Sequence, residues 1–178
     1  MPVQIGARTH DFSDPTGLLS DCHRRIEMFL GSLIAVARVI DLPLTADTRH
    51  ALEAALRYFH EAAPKHTQDE EESLFPRLRR IHRPELESAL STLNALEDDH
   101  RRSDALHSEV HTLGVQCLEK GHLSPHDADR FRQAVNNLAA IYDQHIRIED
   151  SIIFPAAQKI LSSSQKSAIA SEMASRRR

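Results

Sequence analysis

Two segments of the chain carry the same reactive side chains at the same spacing: HTQDEEESLFP from His66 to Pro76, and HIRIEDSIIFP from His145 to Pro155. In each, a Glu stands four residues after the His, a second acid follows the Glu, and Phe-Pro closes the segment. Residues four apart on a helix lie on one face, one turn apart. His66 and Glu70 therefore aim at one place, and so do His145 and Glu149. An imidazole and a carboxylate converging twice point to a site for one or two metal ions. Two lone histidines complete the pattern. His23 precedes His66 by 43 residues and His100 precedes His145 by 45, so each half of the chain supplies a lone His and then a His-x-x-x-Glu. One ion could not use all six residues (His23, His66, Glu70, His100, His145 and Glu149) and still take an outside ligand. Two ions about 3.5–4 Å apart could, each Glu bridging and each ion taking two imidazoles. Imidazole and carboxylate without thiolate suit iron, manganese or zinc rather than Cu(I). A lone His on an apolar helix face is usually a hydrogen-bonded core residue, and a single His-x-x-x-Glu is often a surface pair. The matched duplication is what favours a metal.

The elements that must position these residues read as helices. Asp14 then Pro15 is an N-cap followed by proline at the first helical position, and the helix runs to about Ile40. On the side of His23 fall Leu19, Ile26, Glu27, Leu30, Ile34 and Ala37, an amphipathic stripe. Thr45 or Asp47 starts a second helix with Leu52, Ala55, Leu56, Phe59 and Ala62 inward. Pro64 predicts a kink just before His66, and Pro76 a loosening after it. Pro84 opens a third helix running to Lys120, with Gly121 as its C-cap. Leu86, Leu90, Leu93, Leu96, His100, Asp104, His107, His111, Cys117 and Leu118 share one of its faces. Ser124-Pro125 opens a fourth helix whose inward stripe is Val135, Leu138, Ile141, His145, Ile148, Glu149 and Ile152, bent at Pro155. A fifth helix over 164–174 has little apolar content and is expected to fray.

The predicted fold is all-α: an up-down-up-down four-helix bundle with a short C-terminal extra helix. Residues 1–13 form an irregular arm, 14–160 the bundle, and 161–178 the last helix with a basic tail. Composition agrees. The 178 residues are 40% hydrophobic and 27% charged with only five glycines, which favours helix. Sparse aromatics and no Trp argue against a stacking platform for bases or sugars. A net charge of −4 makes no electrostatic case for nucleic acid. Arg176, Arg177 and Arg178 read as a solvated basic end. Cys22 and Cys117 form no CxxC pair, consistent with a reducing cytoplasm. No apolar run approaches the ~20 residues of a membrane span.

Residues around the six are read as follows. Glu27 and Asp104 each stand one turn past a lone His. In a bundle whose first and third helices run parallel they share a layer next to the metal layer, as added ligands or as acceptors that orient imidazoles. The alternative is a buried network with His107 and His111. Tyr142 reaches the site edge or packs in the core. In the run from Asp69 to Glu72, Glu70 alone turns inward on a solvated acidic face. His50, His60, His82, His122 and His126 face solvent or cap helices, and His10 lies in the arm.

The two segments and the lone histidines resemble the hemerythrin-like, or HHE cation-binding, domain, over about Pro15 to Ala157. The resemblance implies a four-helix bundle holding two iron ions, oxo- or hydroxo-bridged, with Glu70 and Glu149 bridging them. In oxygen-carrying members the third helix gives two His four apart, whereas here Asp104 follows His100. That departure is closer to the four-His, two-Glu centres of bacterial relatives, including di-iron proteins that repair iron–sulfur centres. Those proteins share an amino-terminal Cys-containing segment that this chain lacks. The expected function is a cytoplasmic di-iron protein that binds, senses or reacts with oxygen or nitric oxide. The rivals are an enzyme of peroxide decomposition or iron–sulfur repair, and an iron-sensing module acting on a protein partner. Zinc or manganese could fill the same ligands in a purified sample.

Overall fold

The computed structural model describes residues 10–81 and 87–178. Most of the expected arm, the start of the third helix at Pro84, His82 and Leu86 lie outside the described residues. The first helix, α1 (Pro15–Ala37), is capped by Asp14, whose carboxylate accepts the Gly17 N–H at 3.0 Å. The second rod is built in pieces: α2 (Ala46–Glu61) capped by Thr45, then α3 (Ala63–Gln68), a π turn (Asp69–Leu74) and α4 (Phe75–Arg79). The third, α5 (Glu87–Lys120), is unbroken and ends at Gly121, whose φ of 83° is the left-handed stop that favours glycine. The fourth is α6 (Pro125–Ile148) capped by Ser124, a second π turn (Glu149–Ile153) and α7 (Phe154–Ile160); α8 (Ser163–Ser175) follows. Helix α1 packs on α2 and α6, and α5 on the same two, so α1 and α5 stand diagonally opposed. At one end the connections are tied together, Leu44 N–H to the Gly121 carbonyl at 2.8 Å and Leu123 N–H to that of Ile40 at 3.1 Å.

The prolines explain the π turns. Pro76 and Pro155 do not end their rods; each sits in the first turn of a helix that continues past it. A proline ring inside a helix clashes with the preceding turn and lacks a donor. Here the N–H of Phe75 reaches back five residues to the Glu70 carbonyl, and that of Phe154 to Glu149. The wider turn makes room for the ring, and the expected loosening and bend take that form.

Two apolar clusters fill the bundle. One, around Ile26, Leu33, Leu52, Phe131 and Leu138, lies toward the tied loops. The other, around Leu19, Leu74, Phe75, Leu93, Ile153 and Phe154, lies toward α8. The buried histidines and glutamates form a polar layer between them.

Three expectations about phase are corrected. Along α5 the buried residues are Leu93, Leu96, His100, Ser103, Val110, Leu113, Gly114 and Cys117. This is the 3.5-residue repeat of a supercoiled bundle, and it turns Ser103 inward while Asp104 is exposed on the flank. Glu27 on α1 is exposed for the same reason. Ala62 is also exposed, because the break at that residue passes its inward position to Ala63. The last helix is also firmer than expected. Ser162 and Gln165 form a capping box, and Ile169, Ala170 and Met173 are buried.

Candidate metal centre

All six expected ligands are buried in one layer, with Glu70, Glu149 and His23 fully enclosed. The two i,i+4 pairs close as the spacing predicts. His66 Nε2 stands 3.1 Å from Glu70 Oε1, and His145 Nε2 stands 3.1 Å from Glu149 Oε2. The lone histidines arrive from the diagonal helices. His23 Nε2 lies 3.1 Å from Glu149 Oε2, and His100 Nε2 lies 3.4 Å from Glu70 Oε2. Two sets of ligand atoms result, each within 4.8 Å of one another: His23, His66, Glu70 and Glu149; and Glu70, His100, His145 and Glu149. Each set has two imidazoles, and the two sets share both carboxylates.

The donor set fits cations. Both oxygens of Glu70, both of Glu149 and Nε2 of His23 are buried without a hydrogen-bond partner among the described residues. Buried carboxylate oxygens left without hydrogen bonds are costly. His100 Nε2 and His145 Nε2 approach to 3.1 Å. Two nitrogens about 2.1 Å from a common ion, at right angles, stand about 3 Å apart. The metal-free cluster also fails to ionise evenly. Burial, reinforced by the Glu149 charge, pushes the Glu70 carboxyl well above its usual range. Burial pushes Glu149 the same way, but His145 and His23 outweigh it and hold that carboxyl below its range. Burial pushes His66 well below the ordinary imidazole value, and the neighbouring His23 adds to it. Burial works against a charge on His23 too, but Asp150, Glu149 and Glu70 overcome it and lift that imidazole to about 10. Protons thus carry part of the positive charge that bound cations would supply.

The lone imidazoles are aimed by residues that the sequence pattern sends elsewhere. His23 Nδ1–H donates to Asp150 Oδ1 at 3.0 Å, and His100 Nδ1–H donates to Glu71 Oε1 at 2.8 Å. Each lone His is therefore held by the acid that follows the Glu of the opposite half. The flanking Phe residues cross over in the same way. Phe154 stacks on His23 with ring centroids 5.3 Å apart, and Phe75 on His100 at 6.4 Å. Asp150 is anchored further by Ser20 at 2.7 Å and Arg24 at 3.0 Å. Burial raises its pKa, but His23 and these partners outweigh that and hold it at about 2. The acid after each Glu was the available signal, since it recurs in both segments. Asp69 is fully buried as well, so the acidic run is not a solvated face.

The remaining expected residues separate. Glu27 lines a groove between α1 and α6, whereas Asp104, His107 and His111 line another of about 370 Å³ between α2 and α5. The two acids face different grooves. Tyr142 lines the central cavity of about 10 Å³ with the four imidazoles, and its hydroxyl shares a 2.8 Å hydrogen bond with His107 Nε2. His107 stacks on Phe59 at 4.5 Å, and His111 on His60 at 5.1 Å. His10 bonds through its backbone N–H to Asp21 at 2.8 Å. His50, His122 and His126 are exposed.

Burial lowers the His107 pKa from 6.5 to about 4. The unfolded chain therefore binds more protons in that window, and stability falls as pH drops through it. His107 stays neutral in the fold above about pH 4 and contributes no penalty above pH 6.5. In urea melts of the metal-free chain, wild type should lose roughly 3 kcal/mol more than His107→Gln between those pH values. Equal losses would refute the buried neutral imidazole.

A family model described as "Hemerythrin HHE cation binding domain" matches residues 14–157. A protein of Haemophilus influenzae, named only as uncharacterized, is 25% identical over 167 residues, covering 93% of this chain and 91% of its own.

Proposed function

The chain belongs to the hemerythrin HHE cation-binding domain family, and from that premise we propose that it holds two iron ions and binds, senses or reacts with oxygen or nitric oxide. The observation that carries the reading is the pair of ligand sets that share Glu70 and Glu149. His23 and His66 serve one ion, His100 and His145 the other. Iron bound there would supply redox chemistry and affinity for a diatomic ligand. The chain's own residues do the rest. Asp150 and Glu71 hold the lone imidazoles with Nε2 inward. Phe75, Phe154 and the two apolar clusters keep bulk water from the layer. Asp104, where oxygen carriers place a further His, is exposed on the flank, which supports a four-His, two-Glu centre with a coordination position left open. Two buried unpaired thiols, Cys22 and Cys117, support a reducing, cytoplasmic setting. No described helix is long and apolar enough to cross a membrane.

A second reading, an enzyme that decomposes peroxide, draws on Tyr142. Burial pushes its phenol far above the usual range, so the cavity wall carries a protonated hydroxyl bonded to His107. Anaerobic loading with ferrous ion tests both readings. Two irons per chain are expected, with a visible band on exposure to oxygen or nitric oxide. A stable, reversible band supports binding or sensing, and rapid peroxide turnover supports the enzyme. Iron that saturates at one per chain would overturn the dinuclear centre.

A further inference from the structure

The first π turn is fastened to the end of the chain. Asp69, fully buried, opens that turn one residue before Glu70. Its Oδ1 accepts Arg176 Nη1 at 2.9 Å, and its Oδ2 accepts Arg177 Nη2 at 2.5 Å. Arg176 also reaches Glu72 at 3.1 Å. On the far side of the turn, Arg77 forms a two-pronged pair with Glu172 of α8 at 2.7 and 3.0 Å, and donates to the Ser73 carbonyl at 2.7 Å. The residues flanking Glu70 on both sides thus depend on α8 and its tail. The basic end expected in solvent is a clamp.

Among the described residues the second π turn is not fastened to the end of the chain; its Asp150 is held instead by Ser20 and Arg24 of α1. The position equivalent to Asp69 is Ile148, which packs half-buried against the apolar cluster. The family match ends at residue 157, whereas α8 and the tail come later. The clamp therefore breaks the two-fold likeness of the halves, at one carboxylate, with a segment outside the shared domain.

A buried carboxylate that loses its guanidinium partners is left as an uncompensated charge. Asp69 would then have to turn toward water, and the π turn that aims Glu70 would turn with it. We propose that Asp69, Arg176 and Arg177 are positioning residues for Glu70, and that the carboxy-terminal segment controls how long the centre retains its ions. The inference rests on the dinuclear reading above.

The test uses the full-length chain loaded with cobalt(II), whose visible bands report ligand geometry. Release to an excess of chelator is followed for wild type, Arg176→Ala/Arg177→Ala, Arg176→Lys/Arg177→Lys and the remote control Arg132→Ala. Arg132 pairs with Asp41 at the opposite end of the bundle. Wild type should hold two ions. The double alanine variant should release both ions at least about tenfold faster, with altered bands, since Glu70 belongs to both ligand sets. The double lysine variant should restore part of the retention, since ammonium keeps the charge but not the fork. Arg132→Ala should change neither rate. If the double alanine variant does not fold, Arg177→Gln alone carries the same expectation. Unchanged bands and release rates, even with a lower melting point, would make the clamp merely structural and overturn the proposal. Failure of wild type to take up cobalt would overturn the dinuclear reading and the clamp with it.

Discussion

Glu70→Ala and Glu149→Ala should each lower metal affinity by more than about a hundredfold and leave at most one ion per chain. The reason is that each carboxylate belongs to both ligand sets, so its removal takes a donor from both ions. Glu71→Ala and Asp150→Ala should act differently. These acids hold His100 and His23 through Nδ1; without them the imidazoles remain but lose their aim, a cost of about 10–100-fold. Metal content after equilibration against a graded competing chelator ranks the four variants. Equal losses would mean that the acid beside each Glu also coordinates. A second signature separates a ligand from a structural residue. Both oxygens of Glu70 lack hydrogen-bond partners among the described residues, and burial and Glu149 work against its charge. Metal-free Glu70→Gln should therefore melt no lower than the metal-free wild type, although its metal binding is crippled. That is the trade expected where a site is strained for function. A variant that melts much lower without metal would make Glu70 a structural residue.

Chelation should lower the melting point of the wild type by roughly 10 °C or more. A ligand present at a thousand times its dissociation constant adds about 4 kcal/mol per site, and each kcal/mol is worth about 2–4 °C in a chain of this size. The apolar clusters on either side of the layer remain intact without metal, so the fold should loosen at the layer rather than vanish. The pH dependence has a definite sign. Imidazoles coordinate only when deprotonated, so protons and metal compete for the same lone pairs. Because His23 of the metal-free fold keeps its proton up to about pH 10, the metal-linked part of the stability should decline progressively as the pH falls from there toward about 6 and below. Calorimetry of loaded and chelated samples across that range measures it directly. An unchanged midpoint after verified metal removal would refute the linkage.

What the sequence determined by itself is local. Helix starts at Asp14-Pro15, Thr45 and Ser124-Pro125 and the stop at Gly121 depend on backbone groups within a few residues, and all four stand in the structure. The pairings of His66 with Glu70 and of His145 with Glu149 are equally local, each a single turn of one rod. The duplicated turn supplies two imidazoles and both carboxylates of the layer; His23 and His100 join it from α1 and α5.

Only the tertiary structure decided which neighbours serve that layer. Counting four residues on from His23 and His100 selects Glu27 and Asp104, but supercoiling shortens the repeat to about 3.5 and leaves both exposed on the flanks. The acids that orient the lone imidazoles come from the opposite half, 127 residues away for Asp150 and 29 for Glu71. They point inward because proline widens the turn in which they sit. The tail arginines find Asp69 across 107 and 108 residues, where charge run and tail each read alone as solvated. Periodicity along one helix reports which face is apolar. It does not report which residue of another helix stands opposite a given side chain, since that depends on how the rods cross and where their turns widen.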